Sequence, residues 1–142
     1  MIHLDTSFLV DLLRESARSE EGPASRMLET IQEEELRMSV FVACELAAGA
    51  EMSKKPFEEK RKVDRPCSSL GIDYPDERFP PAYGSLLRTQ KRGSGRISTM
   101  DLLIATSALV AEASLLTRHA KEFSRVPGLD VLTYCPTRQP GQ

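Results

Sequence analysis

The sequence predicts an α/β fold: a single domain with a parallel β-sheet of four or five strands flanked by helices on both faces. Two observations lead to this prediction. Short apolar runs bounded by polar residues alternate with segments whose apolar residues recur at helical spacing. The 142 residues are a common size for one domain, and no internal repeat divides them. We assign the domain to residues 1–134 and expect a short flexible C-terminal tail over residues 135–142.

The N-terminal half is predicted to alternate strands and helices. Its first apolar run ends at Asp5, and the hydroxyls of Thr6 and Ser7 can cap the helix that follows. Pro23 suits the first turn of another helix. In chain order, we expect a strand at 1–4, a helix over 8–13, a polar loop at 14–22, a helix over 24–35, a strand at 36–40 and a helix over 41–51.

The C-terminal half continues the alternation. Its clearest helix begins near Ser98, a good N-cap residue, and carries the small residues Ala105 and Ala108, which allow close packing against a sheet. In chain order, we expect a mixed-charge helix over 54–65, a weak strand within 67–74, a helix over 82–91, a helix over 97–112, a strand at 114–117, a loop at 118–124 and a strand at 130–134.

Composition and charge exclude several classes of protein. No apolar run approaches the ~20 residues that a membrane span needs, and the first residues lack the pattern of a signal peptide. Cys44, Cys67 and Cys135 are odd in number and share no metal-type spacing, so we expect reduced thiols in a cytoplasmic protein. A net charge of −2 argues against broad attraction to nucleic acid but allows a local basic patch.

Three acidic residues occupy positions from which they could form one site. In parallel sheets ligands bind beyond the carboxyl ends of the strands. Asp5 follows the first strand, Asp101 lies in the first turn of the helix over 97–112, and Glu45 lies on or beside the apolar stripe of its helix. Asp5 and Asp101 equally fit acids at helix N-termini, and Glu45 could pair with an arginine or face water.

A cluster of these three carboxylates would require compensation. Two carboxylates ~4 Å apart repel by roughly 4 kcal/mol at an effective dielectric constant of 20. The cluster must therefore take up protons, bind a basic side chain or hold a cation. Oxygen ligands favour Mg²⁺ or Mn²⁺, and the absence of cysteine and histidine spacing argues against zinc.

The sequence resembles PIN-domain ribonucleases, and closely the VapC-type toxins of bacterial toxin–antitoxin systems. The resemblance runs from residue 1 to residue 134 and depends on four segments in a fixed order: LDTSFLV at 4–10, SVFVACEL with a following glycine at 39–49, ISTMDLLIA at 97–105 and TRHAKEFSRVPGL at 117–129. It implies a PIN-like fold in which Asp5, Glu45 and Asp101 hold Mg²⁺ or Mn²⁺ for the cleavage of RNA phosphodiester bonds. It also implies a cognate antitoxin protein that covers the acidic site, and a homodimer.

Further residues are candidates for a secondary role. Thr6 and Ser7 could donate to a phosphate oxygen or hold Asp5 in place. His119 stands where members of the family often carry an acid or an amide, and Glu122 could substitute for that group. The number of metal ions stays open for this reason.

An acidic pocket repels a polyanion, so basic residues must line its rim. The candidates for contact with RNA are Arg14, Arg92, Arg96 and Arg118, although each also fits an ordinary solvated arginine. Other classes fit less well: a haloacid-dehalogenase-like phosphatase needs an acid at the position of Ser7, and a receiver domain needs an acidic pair near the first strand. The alternative that remains is a catalytically inactive PIN-like module that binds RNA or a partner protein.

Overall fold

The computed structural model describes residues 1–90 and 95–135, apart from the side chains of residues 66 and 67. Within this part, strands and helices alternate as the sequence predicts, and none of the helices is long and apolar enough to cross a membrane. The elements are β1 (Ile2–Leu4), α1 (Thr6–Ala17), α2 (Pro23–Ile31), β2 (Leu36–Ser39), α3 (Val40–Glu51), α4 (Pro56–Ser69), β3 (Gly71–Asp73), α5 (Phe79–Thr89), α6 (Thr99–Val110), β4 (Ser114–Leu116), α7 (Ala120–Phe123) and β5 (Val131–Leu132).

The five strands form one parallel sheet in the order β3-β2-β1-β4-β5, which confirms the predicted fold class. β1 is central: Ile2 pairs with Leu36 of β2 on one side and with Ser114 of β4 on the other. All three residues of β1 are buried, although successive side chains point to opposite faces of a sheet. Helices therefore cover both faces, as a parallel sheet requires.

The ends of the helices differ from the sequence prediction in the N-terminal half. Residues 14–17 belong to α1 rather than to a loop, because Arg14, Glu15 and Ala17 are good helix formers and the Glu15 carboxylate accepts hydrogen bonds from the start of α2. α2 ends at Ile31, its last buried residue, and residues 32–35 form the turn into β2. Polarity alone therefore does not mark the end of a helix.

Several boundaries also differ in the C-terminal half, among them the last strand, which is β5 at Val131–Leu132 rather than 130–134. α5 begins at Phe79, because Pro80 and Pro81 occupy its first turn, where backbone N–H groups have no intrahelical acceptor. The weak strand shortens to β3, since α4 extends to Ser69. The loop predicted at 118–124 contains the single turn α7.

Polar side chains of three neighbouring strands, β1, β2 and β3, contact one another. His3 lies in β1 and is fully buried, as the sequence suggested for a packed histidine, and its Nε2 contacts Asp73 Oδ2 at 2.7 Å. Arg37 donates from Nε to Asp73 Oδ1 at 2.6 Å. Gly71 leaves room for this arginine, because a Cβ atom at Gly71 would lie 2.1 Å from Arg37 Nη1. Asp73 thus links the edge strand β3 to β2 through Arg37 and to the central strand β1 through His3.

Candidate active site

Asp5 lies at the carboxyl end of the central strand, and its side chain is buried. Its backbone N–H donates to the carbonyl of Leu116 at 2.9 Å, which aligns the ends of β1 and β4. The Oδ2 atom of Asp5 accepts hydrogen bonds from Ser7 Oγ at 2.9 Å and from Thr117 Oγ1 at 2.7 Å. Asp5 itself occupies the N-cap position of α1, and no side chain caps that helix. The prediction that Thr6 and Ser7 cap it is therefore wrong.

The hydrogen bonds from Ser7 and Thr117 to Asp5 have a defined donor and acceptor. The backbone N–H of Arg118 donates to Ser7 Oγ at 3.0 Å, and that of His119 donates to Thr117 Oγ1 at 2.9 Å. A hydroxyl has one proton to give, and because a backbone N–H can only donate while a carboxylate oxygen accepts, each hydroxyl accepts from the N–H and gives its proton to Asp5. Among the described residues no donor reaches Oδ1 of Asp5. This oxygen is the one that Asp5 can offer to a ligand.

Glu45 faces the same edge of the sheet from α3. Its Oε1 accepts a hydrogen bond of 2.6 Å from Thr6 Oγ1, and its side chain is half-buried. Burial raises the pKa of the Glu45 carboxyl, the negative charges of Asp5 and Asp101 raise it further, and the hydrogen bond from Thr6 acts in the opposite direction. No basic side chain of the described residues forms an ion pair with Glu45, so the predicted alternative of a salt bridge to arginine is not found there.

Asp101 approaches the site from the first turn of α6. Ser98 is the N-cap of this helix, as predicted, and its hydroxyl accepts a hydrogen bond of 3.1 Å from the backbone N–H of Asp101. Burial raises the pKa of the Asp101 carboxyl, as does the negative charge of Asp5, whereas a side-chain hydrogen bond with Ser98 lowers it. Asp5, Glu45 and Asp101 therefore lie close enough for Asp5 to raise the pKa of both other acids.

His119 and Glu122 are both exposed beside this cluster. The charge of His119 lowers the pKa of Asp101 and that of Glu122 raises it, so both side chains lie within electrostatic range of this carboxylate. Each follows β4, His119 at the position before α7 and Glu122 inside that helix. The secondary roles predicted for them stay predictions.

The donor set fits a hard divalent cation. Within residues 1–90 and 95–135, no group of three or more acidic, histidine or cysteine side chains is arranged to hold a metal ion. The site nevertheless offers the uncommitted oxygen of Asp5 and two carboxylates whose pKa values are raised by burial and by the charge of Asp5. Mg²⁺ commonly binds to one or two carboxylates and keeps several water molecules, so a small and open set of oxygen ligands suits it.

The basic residues predicted to contact RNA differ in their surroundings. Arg14 is exposed and lines a groove of about 390 Å³ between α1, α3 and α4, together with Thr6 and Glu45. Arg96 is exposed just before α6. Arg92 lies outside the described residues. Arg118 is 34% exposed and forms an ion pair with Asp11.

Asp11 connects three segments beside the acidic cluster. Its Oδ1 accepts a hydrogen bond of 2.8 Å from Arg118 Nη1, and its Oδ2 accepts one of 2.6 Å from the Tyr134 hydroxyl. Tyr134 is buried, and its ring packs edge-on against Phe8 at 5.2 Å between centroids. Burial raises the pKa of the Tyr134 hydroxyl, as does Asp11, so this group stays a hydrogen-bond donor at neutral pH.

A parallel five-stranded α/β sheet with carboxylates at its carboxyl edge is the arrangement of a PIN domain. The family model for the PIN domain matches residues 2–129, and the chain belongs to this family. More particularly, it is a VapC-type member. Ribonuclease VapC2 of Rickettsia felis is 37% identical to it over 95 residues, which are 66% of this chain and 70% of the relative. The resemblance noted in the sequence is thereby confirmed.

Two further comparisons span more of the chain. Ribonuclease VapC1 of Haemophilus influenzae is 29% identical over 126 residues, which are 89% of this chain and 92% of the relative. A chain in the crystal structure of VapBC2 from Rickettsia felis, bound to a DNA fragment from their promoter, has a TM-score of 0.83 at 28% identity. That match covers 95% of this chain and 100% of the other.

Sequence reasoning missed Thr117, Asp11 and Tyr134 as parts of the site. Thr117 is a buried polar residue at the end of a strand, and that position was a usable signal. Asp11 gave none, because an acid on an amphipathic helix resembles an ordinary surface residue. Tyr134 was predicted only as the end of the last strand, and its contact with α1 depends on the tertiary fold.

Proposed function

We propose that this protein is an endoribonuclease that hydrolyses RNA phosphodiester bonds with Mg²⁺ or Mn²⁺, and that it is the toxin of a toxin–antitoxin pair. The observation that carries the proposal is the convergence of Asp5, Glu45 and Asp101 at one edge of the sheet, where Asp5 raises the pKa of both other acids. Membership of the PIN-domain family and similarity to two proteins named ribonuclease support the choice of reaction.

Each acid would have a distinct role. Asp5 and Asp101 would hold the cation directly, and Glu45 would share in this or orient the attacking water. When bound, the cation would lower the pKa of a water molecule and screen the charge of the phosphate. Ser7 and Thr117 fix the carboxylate of Asp5, so that Oδ1 is its available oxygen.

The remaining polar groups would position the water and the RNA. Thr6 holds Oε1 of Glu45, which leaves Oε2 to accept a hydrogen bond from the attacking water. Water adds to the phosphorus, the bond to the leaving oxygen breaks, and that oxygen takes up a proton. Arg14, Arg96 and Arg118 would offset the negative charge of the site by contacts with the RNA backbone.

The test combines cleavage with cation binding. The purified protein should cleave structured RNA in Mg²⁺ or Mn²⁺, lose the activity in EDTA, and lose it by ~10²-fold or more in Asp5→Asn and Asp101→Asn. Calorimetry should show that wild type binds Mn²⁺ and that Asp5→Asn binds it much more weakly. Asp76→Asn is the matched control, because Asp76 is exposed in a cavity that none of the three acids lines. Cleavage that persists in EDTA would refute the proposed reaction.

The partner proposal has structural support of its own. The groove between α1, α3 and α4 is lined largely by apolar residues and has Thr6 and Glu45 among its walls, so a segment bound there would cover the acidic edge. An antitoxin segment with an apolar helical face and a basic side chain directed to Glu45 would fit. Expression of the chain alone should arrest growth, and Asp5→Ala should relieve the arrest. We also propose a homodimer in the cytoplasm, the dimer to be checked by light scattering of the purified protein.

A further inference from the structure

We propose that Asp11 is a positioning residue that holds the guanidinium group of Arg118 in place for contact with the RNA backbone. The inference rests on the proposed function, since it takes RNA to be the substrate. It goes beyond that function because Asp11 belongs neither to the acidic cluster nor to the predicted RNA contacts. Asp11 would act through Arg118 and would touch neither the cation nor the RNA.

Both ends of Arg118 are held by α1. Its backbone N–H donates to Ser7 Oγ at 3.0 Å, and its Nη1 donates to Asp11 Oδ1 at 2.8 Å. Ser7 and Asp11 are four residues apart on one helix and therefore lie on the same face, one turn from each other. Because Ser7 also donates to Asp5, the position of Arg118 is fixed relative to the buried carboxylate of the site.

Asp11 is itself held firmly. Its side chain is only 14% exposed, and its two carboxylate oxygens accept from different groups, Arg118 on Oδ1 and Tyr134 on Oδ2. The Tyr134 ring is buried against Phe8, so the donor to Oδ2 comes from the core. A carboxylate fixed in this way can fix a longer side chain in turn.

Arg118 keeps the capacity to bind a phosphate. A guanidinium group has five N–H donors in a planar fork, and one of them is directed to Asp11. The side chain is 34% exposed, at the end of β4 beside the acids. A long flexible side chain loses rotamer freedom when it binds, and one already held by an ion pair loses less. The pairing therefore prepares Arg118 for phosphate contact.

A double-mutant cycle tests the inference. All variants carry Asp101→Asn, and the dissociation constant of a fluorescein-labelled single-stranded RNA is measured by anisotropy at several salt concentrations. Arg118→Gln should weaken binding by about tenfold and reduce the salt slope by about the 0.7 expected for one phosphate contact. Asp11→Asn should weaken binding about three- to tenfold. In the Arg118→Gln background, Asp11→Asn should have no further effect.

Two further variants separate positioning from folding. Tyr134→Phe removes the hydrogen bond that holds Asp11 Oδ2; it should weaken RNA binding less than Asp11→Asn does, and should have no effect in the Arg118→Gln background. Glu15→Gln is the control: Glu15 is another carboxylate of α1 that accepts several hydrogen bonds, but from the start of α2, and its replacement should leave RNA affinity unchanged. If Asp11→Asn does not fold, Asp11→Glu replaces it in the double-mutant cycle, because it keeps the negative charge but displaces the carboxylate by one methylene group.

Two results would overturn the inference. One is that Asp11→Asn weakens RNA binding as much in the Arg118→Gln background as it does alone. The other is that Asp11→Asn alone leaves the affinity for RNA unchanged or makes it tighter. With Asp101 restored, Asp11→Asn should raise KM for RNA with kcat within about twofold of wild type. A protein that binds RNA without cleaving it would refute the proposed function, whereas the binding cycle would still decide the role of Asp11.

Discussion

Replacement of Thr117 by valine is the most informative single change, because it removes one hydroxyl and keeps the shape of the side chain. Thr117 is fully buried, and its hydroxyl donates to Asp5 Oδ2 at 2.7 Å while accepting from the backbone N–H of His119 at 2.9 Å. A hydrogen bond to a charged acceptor contributes about 1.5–3 kcal/mol, and leaving the N–H unpaired costs about 1 kcal/mol more. Thr117→Val should therefore lower the free energy of unfolding by about 2–4 kcal/mol.

The loss should be visible in two assays. At about 2–4 °C per kcal/mol for a chain of this size, thermal unfolding followed by circular dichroism should shift down by roughly 4–16 °C. Asp5 would also lose one of the two hydroxyl contacts that fix Oδ2, and removing such a supporting group typically weakens metal binding about 10- to 100-fold. Calorimetric titration with Mn²⁺ should show this loss, with cleavage of RNA reduced accordingly.

Thr106→Val is the matched control. Thr106 is fully buried too, but its hydroxyl donates at 2.7 Å to the carbonyl of Leu102 within α6, so its removal leaves no backbone N–H group without a partner. We expect a loss under about 1 kcal/mol and no change in Mn²⁺ affinity. If Thr117→Val is as mild as Thr106→Val, or binds Mn²⁺ as tightly as wild type, the hydroxyl network does not hold Asp5 as inferred.

Three other changes test the fold. Hydrogen bonds from the start of α2 hold the pKa of Glu15 below its ordinary value of 4.5. The ionised Glu15 therefore stabilises the fold fully above pH 4.5, and this stabilisation is lost as the pH falls through the folded pKa. In Glu15→Gln the melting temperature should depend less on pH between about pH 3 and 6 than it does in wild type, and an equal dependence would contradict this. Gly71→Ala should cost about 1–3 kcal/mol in urea unfolding, because the new methyl group displaces Arg37 from its ion pair, and an unchanged midpoint would contradict this. Gly84→Ala, in an exposed and open part of α5, should stabilise by about 0.5–1 kcal/mol, and a lower midpoint would refute that reading.

The arrangement of the chain could be predicted from the sequence because it depends on periodicity. Alternating strands and helices imply a parallel sheet, and a parallel sheet brings the residues after its strands to one edge. Asp5 was found in this way, and Asp101 was found as an acid in the first turn of the helix over 97–112. Glu45 was found because a carboxylate on an apolar stripe is costly without compensation. Their metal-binding roles stay predictions.

The contact of Ser7 with Asp5 was among the predicted roles, but the other contacts that fix the acids could not be predicted, because they join distant residues. The hydroxyl of Thr117 contacts Asp5 across 112 positions of the sequence, and that of Thr6 contacts Glu45 across 39. A hydroxyl near a helix start normally suggests a cap, and only the packed structure shows that Thr6 contacts Glu45 instead. The same limit applies to Asp11, whose partners both follow later strands.

The central position of β1 has a consequence for the synthesis of the protein. Ile2 pairs with Ser114, so β1 waits for a neighbouring strand that is synthesised more than a hundred residues later. Contacts between segments so far apart in the chain form late and slowly. Asp5 likewise receives its second hydrogen bond only once Thr117 has emerged. A fragment released before that point lacks an assembled acidic edge, however much of α1 and α3 it has already folded.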